Sequence, residues 1–153
     1  MIPTQALFEA HLTVVNLERA MHFYGELLGL ECAVKFEAPR VAFYWVGGRG
    51  HSMLGVWEVG GGPQRMSLHV AFKVALEDVL KAPERLRAAN IQPLDIMQNP
   101  TAEVVVIGWM PAAVVYFCDP DGNMLEYLAI LPEEPRADVG VVKWSEWKAI
   151  QNQ

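Results

Sequence analysis

Apolar and polar positions change rhythm several times along the chain, and the changes mark its elements. Residues 8–15 are apolar or β-branched with no breaker, which predicts a strand. Asn16 then stands as a helix N-cap with Glu18 in the first turn. Leu17, Ala20, Met21, Tyr24, Leu27 and Leu28 recur at helical spacing, until Gly29 supplies a C-terminal stop. Three short strands are expected next, over 31–36, 40–46 and 52–59, with Pro39 and the glycines of 47–50 as punctuation.

Gly60-Gly61-Gly62-Pro63 is the strongest break. A phosphate-cradling loop would need a lysine and a helix start directly after it. Residues 66–74 read as strand instead, so the segment is expected to be a hinge between modules. The earlier order then restarts. A helix over 76–90 places Val79, Leu80, Leu86 and Ala89 on one side, and Pro83 should kink or reset it. Residues 91–97 look strand-like, 104–107 extended, 113–118 and 124–131 strand. Asp119-Pro120-Asp121-Gly122 fits a type I turn between the last two. A Pro/Glu linker follows over 132–136. Trp144 and Trp147 then suit a short amphipathic helix lying on the body or on a partner.

Strand, helix and three strands thus occur twice, an internal repeat within one α+β domain. Modules are expected over 1–60 and 64–131, with a tail over 132–153. Superposing the module starts lays His11 on His69, and superposing their ends lays Gly55 on Glu126. The extra length of the second module falls at 99–111. A pseudo-two-fold repeat gathers equivalent positions about its axis, so His11, His69 and Glu126 would converge while Gly55 offers nothing. Two imidazoles and a carboxylate suit Fe, Mn, Ni or Zn, with positions left open for substrate.

A histidine on a strand is more often structural than a ligand. Glu126 is different. It sits among Met124, Leu125, Tyr127 and Leu128, and a carboxylate buried there costs several kcal/mol unless it is paired or metal-bound. Glu58 is three residues from Gly55, so strand parity turns it to the other face. His22 and His51 read as surface residues. Met53 and Trp57 share the parity of Gly55 and are candidates to line a substrate cleft, with Trp109 and Met110 as candidates to cap it.

Composition narrows the function classes. The chain has 153 residues, 52% hydrophobic, with a net charge of -6. A real core can form, and a nucleic-acid partner, which demands a basic stripe, is not expected. No apolar run approaches the ~20 residues of a membrane span, and the opening residues lack the pattern of a signal peptide, so a cytoplasmic protein is expected. Cys32 and Cys118 are too few for a disulfide framework and are expected to be reduced, part-buried thiols.

Two segments resemble a known family. Ala10-His11-Leu12-Thr13-Val14, followed by the run from Leu17 to Tyr24 and Leu28-Gly29-Leu30, is similar to the first module of the vicinal oxygen chelate superfamily. Val115 to Tyr127, with its Asp119-Pro120-Asp121-Gly122-Asn123-Met124-Leu125-Glu126 core, resembles the closing motif. That superfamily includes glyoxalase I, fosfomycin-resistance proteins, bleomycin-binding proteins and extradiol dioxygenases. The resemblance implies paired βαβββ modules, each a curved mixed sheet, around a cleft holding one divalent metal. It implies His11, His69 and Glu126 as the ligands; if the reaction needs a base, a metal-bound hydroxide is one candidate and Glu126, as a catalytic group, is the other. Glyoxalase I usually carries a fourth ligand, a Glu, where this chain reads Gly55, which points away from lactoylglutathione lyase activity and toward the three-ligand branches. Bleomycin-type binders commonly lack the metal ligands.

The expected function is therefore a divalent-metal-dependent enzyme acting on a small oxygenated substrate, with a non-catalytic small-molecule binder as the alternative. A homodimer is the expected assembly, and the modules could pair within a chain or across a swapped dimer.

Overall fold

The computed structural model describes residues 6–59 and 68–151. The glycine-proline hinge and the start of the 66–74 strand lie outside the described residues. The chain divides into two compact units. One takes Met1–Leu68 together with Asp119–Asn123; the other takes His69–Cys118 and Met124–Gln153.

The first unit holds β1 (Glu9–Val14), α1 (Leu17–Met21), β2 (Glu31–Glu37), β3 (Arg40–Val46) and β4 (Ser52–Glu58). Its sheet has the order β1-β4-β3-β2. β1 runs parallel to β4, and the other neighbours are antiparallel. Strand alternation sends Leu12 and Val14 into the core and leaves His11 and Thr13 on the opposite face. The Asn16 side chain accepts from the Arg19 N–H at 2.8 Å, the expected N-cap. Past Met21 the helix widens into a π-helical stretch, His22–Leu27, before Gly29 turns out at φ 73°. Leu17, Ala20, Phe23 and Tyr24 form its buried stripe.

Asp119–Asn123 completes this unit. The buried Asp119 carboxylate accepts from the Tyr24 hydroxyl, the Asn123 backbone N–H and the Asn123 amide, each at 2.8 Å, and from the Asp121 N–H at 2.9 Å. Gly122 N–H donates to the Asp119 carbonyl at 3.1 Å, which closes the expected turn. Asn123 also reaches the Thr13 carbonyl on β1. Burial, with the Asp119 charge beside it, pushes the Tyr24 hydroxyl far above the usual tyrosine range.

The second unit repeats the order with β5 (His69–Lys73), α2 (Leu76–Ala88), β6 (Val105–Ile107), β7 (Ala112–Cys118) and β8 (Met124–Ile130). It then adds β9 (Val141–Lys143) and α3 (Trp144–Gln151). The sheet order is β5-β8-β7-β6-β9, again with one parallel pair, β5 with β8. Both sheets are mixed, and the α+β repeat of strand, helix and three strands is present in each unit.

Three details depart from the sequence reading. α2 is one element across the buried Pro83 and runs to Ala88, with Asn90 following at φ 59°. Residues 91–97 form no strand: only Leu94 bridges, to Tyr116 and Pro100. Pro93 has no N–H to give a ladder, and the Asp95 side chain takes the N–H groups of Met97 and Asn99, bending the chain into a turn. Cys32 is exposed on β2 rather than part-buried. No described helix is long and apolar enough to cross a membrane.

The tail belongs to the second unit. β9 pairs with β6, and α3 buries Trp147 to 1% exposure. Trp147→Ala is expected to cost about 3–5 kcal/mol of stability, as deletion of a buried tryptophan does. Trp147→Phe should cost less, because the indole N–H has no hydrogen-bond partner in its buried setting. Urea unfolding of the two variants measures the difference.

Candidate functional site

In the second unit the parallel pairing of β5 and β8 sets His69 opposite Met124 and Ala71 opposite Glu126. Glu126 is thus two residues beyond the partner of His69, on the same face. The His69 Nε2 lies 3.2 Å from Glu126 Oε2. The other ring nitrogen, Nδ1, is 3.1 Å from the Met124 carbonyl oxygen. A carbonyl can only accept, so Nδ1 carries a proton, and Nε2 is the ring nitrogen that faces the carboxylate.

Two electron-rich atoms at that separation need a cation or a proton between them. Glu126 is 4% exposed, and its Oε1 is buried without a hydrogen-bond partner. Burial pushes its carboxyl above the ordinary carboxylate range; His69 and then Tyr116 pull the other way, and burial wins. Tyr116 stands opposite Glu126 on β7, its ring 6.0 Å from that of His69. Its hydroxyl is itself pushed up to about 12, by burial first and by the Glu126 charge second.

These residues fit a divalent ion. A buried orphan carboxylate oxygen and an imidazole aimed by a backbone carbonyl are the donor chemistry such an ion takes. Donors 3.2 Å apart also match the spacing of two ligands that each sit about 2.1 Å from one metal. Among the described residues no three His, Cys, Asp or Glu side chains gather closely enough to hold a metal by themselves. The structure brings together two of the three expected ligands, and His11 belongs to the first unit.

There, β1 and β4 set His11 opposite Gly55. A Cβ on Gly55 would stand 2.6 Å from His11 Nδ1 and 3.0 Å from the Phe43 ring, so glycine makes room for the imidazole. The pairing also corrects the superposition of Gly55 on Glu126. Two residues beyond the partner of His11 comes Trp57, which therefore holds the register position that Glu126 holds in the second unit. Matching by sequence identity alone had slipped this strand by two residues. The Trp57 indole N–H donates to His11 Nδ1 at 2.7 Å. The rings of Phe43 and Trp57 lie 6.0 Å and 5.8 Å from the imidazole, and Phe36 stands 6.4 Å from Phe43.

The remaining candidates separate clearly. Met53 shares the face of Gly55 and Trp57 and is half-buried. Met110 packs against the core of Val105, Ile107, Ala112, Val114 and Tyr116. Trp109 is 63% exposed. Glu58 accepts from the Leu17 N–H at 2.6 Å and from Arg40 at 2.9 Å, so it secures the start of α1 on the face that parity assigns it. His22 pairs with Glu26 at the surface, and His51 is exposed. Sequence reasoning missed Tyr116 and the contact of Trp57 with His11; the alternation of β7 and the register of β4 were the signals that carry them.

The sequence model of the Glyoxalase/Bleomycin resistance protein/Dioxygenase superfamily matches residues 6–127. No curated protein sequence matches the chain. Among solved structures, an integron cassette protein from the mobile metagenome of the Halifax Harbour sewage outfall is similar at 31% identity. The alignment covers 83% of this chain and 100% of that one, with a TM-score of 0.70. Lactoylglutathione lyase from Agrobacterium tumefaciens shares the fold at 22% identity, 83% and 95% coverage and a TM-score of 0.63. The genomically encoded fosfomycin resistance protein FosX from Listeria monocytogenes does so at 21% identity, 89% and 100% coverage and a TM-score of 0.60.

Two variants test this geometry. Gly55→Ala is expected to cost about 1–3 kcal/mol, because its methyl group collides with the His11 and Phe43 rings; urea unfolding reads this. Glu126→Gln removes a buried charge. A carboxyl whose folded-state affinity for a proton is raised contributes stability at low pH and loses it as pH rises. In chelator-treated protein the variant should therefore gain on the wild type as pH rises above the ordinary carboxylate range, read as the difference in thermal midpoints.

Proposed function

The chain belongs to the Glyoxalase/Bleomycin resistance protein/Dioxygenase superfamily, and on that premise we propose that it is a divalent-metal-dependent enzyme acting on a small oxygenated molecule. His69 and Glu126 would hold the ion. The observation that carries this reading is the His69 ring, whose Nδ1–H is committed to the Met124 carbonyl while its Nε2 faces a buried, under-satisfied carboxylate. An ion bound there would supply Lewis acidity toward a substrate oxygen.

The chain's own groups account for the rest. The Met124 carbonyl fixes the orientation of the His69 ring. Burial makes the bare Glu126 carboxylate costly, and its unpaired Oε1 leaves an oxygen available to a bound cation. The Tyr116 hydroxyl keeps its proton at neutral pH and stands beside the carboxylate as a donor. A second reading, a non-catalytic binder of small molecules, is favoured by one observation, the half-exposed aromatic rings around His11.

Metal content of tag-free protein purified without chelator decides between them. About one ion per chain is expected, lost in His69→Ala and in Glu126→Gln; His11→Ala measured alongside tests the third ligand expected from the repeat. Iron would direct the search to oxygenase chemistry, and zinc, manganese or nickel to lyase or transferase chemistry. Wild-type protein that neither carries nor takes up any of the four would overturn the enzyme reading and leave the binder.

A further inference from the structure

His69 opens its strand, whereas His11 lies inside one. β5 begins at His69, but β1 begins at Glu9, two residues ahead of His11. Glu9 and Ala10 pair with Met53 and Leu54, so an unbroken ladder leads up to His11. Carried one step backward, the register of β5 on β8 would set Leu68 against Asn123. There a side chain takes the place of the ladder: the Leu68 N–H donates to Asn123 Oδ1 at 3.1 Å. The matching position in the first unit is Leu54, whose side chain carries no polar atom.

Asn123 is itself firmly held. It is 1% exposed. Its amide nitrogen donates to Asp119 Oδ2 at 2.8 Å and to the Thr13 carbonyl at 3.2 Å, which leaves Oδ1 for Leu68. Its backbone N–H donates to Asp119 Oδ1 at 2.8 Å, and its carbonyl accepts from the Asp119 N–H at 3.0 Å. Asparagine offers two donors and an acceptor in one plane; aspartate would lack the donors, and leucine all three. The next residue, Met124, presents the carbonyl that faces His69 Nδ1. Two consecutive residues thus hold the backbone just before His69 and the ring of His69.

We propose that Asn123 is the positioning residue of the candidate centre: by holding the Leu68 N–H it fixes the start of β5, and with it the place of His69 beside Glu126. Strand ends fray where few bonds hold them, and a ligand set must be kept within about 0.5 Å of its working geometry. The inference rests on the reading of His69 and Glu126 as ion ligands; Asn123 acts through Leu68 and is no ligand.

Full-length protein, free of metal and at a temperature where it is folded, gives the first readout. In the wild type the His69 and Tyr116 rings, with centroids 6.0 Å apart, should show proton–proton contacts by NMR. Asn123→Ala should lose them. Leu68→Pro removes the N–H and leaves Asn123 whole, and proline is tolerated at a strand start, so it serves where Asn123→Ala does not fold. Leu68→Ala keeps the N–H and should keep the contacts. Zinc titration is the second readout. Binding should weaken about tenfold in Asn123→Ala and Leu68→Pro, as loss of an outer support does, and stay at the wild-type level in Leu68→Ala. A merely structural role would lower the melting temperature and leave both readouts unmoved. Folded Asn123→Ala or Leu68→Pro protein that keeps the ring contacts or the zinc affinity would overturn the inference, as would loss of the contacts in Leu68→Ala. A wild type that binds no divalent ion would sink the metal reading instead, and the ring contacts would still decide this one.

Discussion

The first strand of each sheet runs parallel to the last strand of the same module, and the register of that one pairing decides what stands beside each histidine. Because side chains alternate, a shift of two residues keeps every group on its face and yet changes its neighbours. In the second unit the register delivers a carboxylate to the imidazole. Glu126 arrives there 4% exposed, and desolvation makes its negative form expensive. The environment must supply a proton or a cation, which turns a packing position into a chemical one. In the first unit the same pairing delivers an indole, which fills the position with aromatic surface and reverses the direction of the hydrogen bond.

Much of this was legible in the sequence. Hydrophobic spacing locates the strands and both principal helices, Asn16 and Gly29 bound the first helix, and the Asp119–Gly122 turn announces itself by residue type. The aligned module starts single out His69, and the carboxylate amid apolar neighbours singles out Glu126; the two side chains stand 3.2 Å apart. Register was not legible, because identities along a seven-residue strand are too few to distinguish Gly55 from Trp57 as the counterpart of Glu126. Local side-chain competition defeated the expectation of a strand over 91–97, where Asp95 captures backbone donors that a ladder would need. β9 spans Val141–Lys143, too short to show any period, although Trp147 on the following α3 signalled a helix that packs.

The two units also show how a repeat diverges while its scaffold persists. Both keep the parallel pair and the strand order, so backbone hydrogen bonding is conserved between them. Surface charge is worked differently: in the first unit Arg40 gathers Glu18, Glu37 and Glu58 around the start of α1, whereas α2 relies on acidic residues in its first turn and basic ones in its last. The scaffold thus tolerates exchange of an acceptor for a donor at one register position, and family membership alone does not determine what each half contributes.

The Asp119 carboxylate that receives the Tyr24 hydroxyl lies 95 residues later in the chain. A ribosome extending the chain by about 5–20 residues each second would present Tyr24 roughly 5–20 s before its acceptor exists. During that interval the residues of its helix and four strands are made but the loop that satisfies this hydroxyl is not. The unit that is begun first can be finished only when most of the second has been translated.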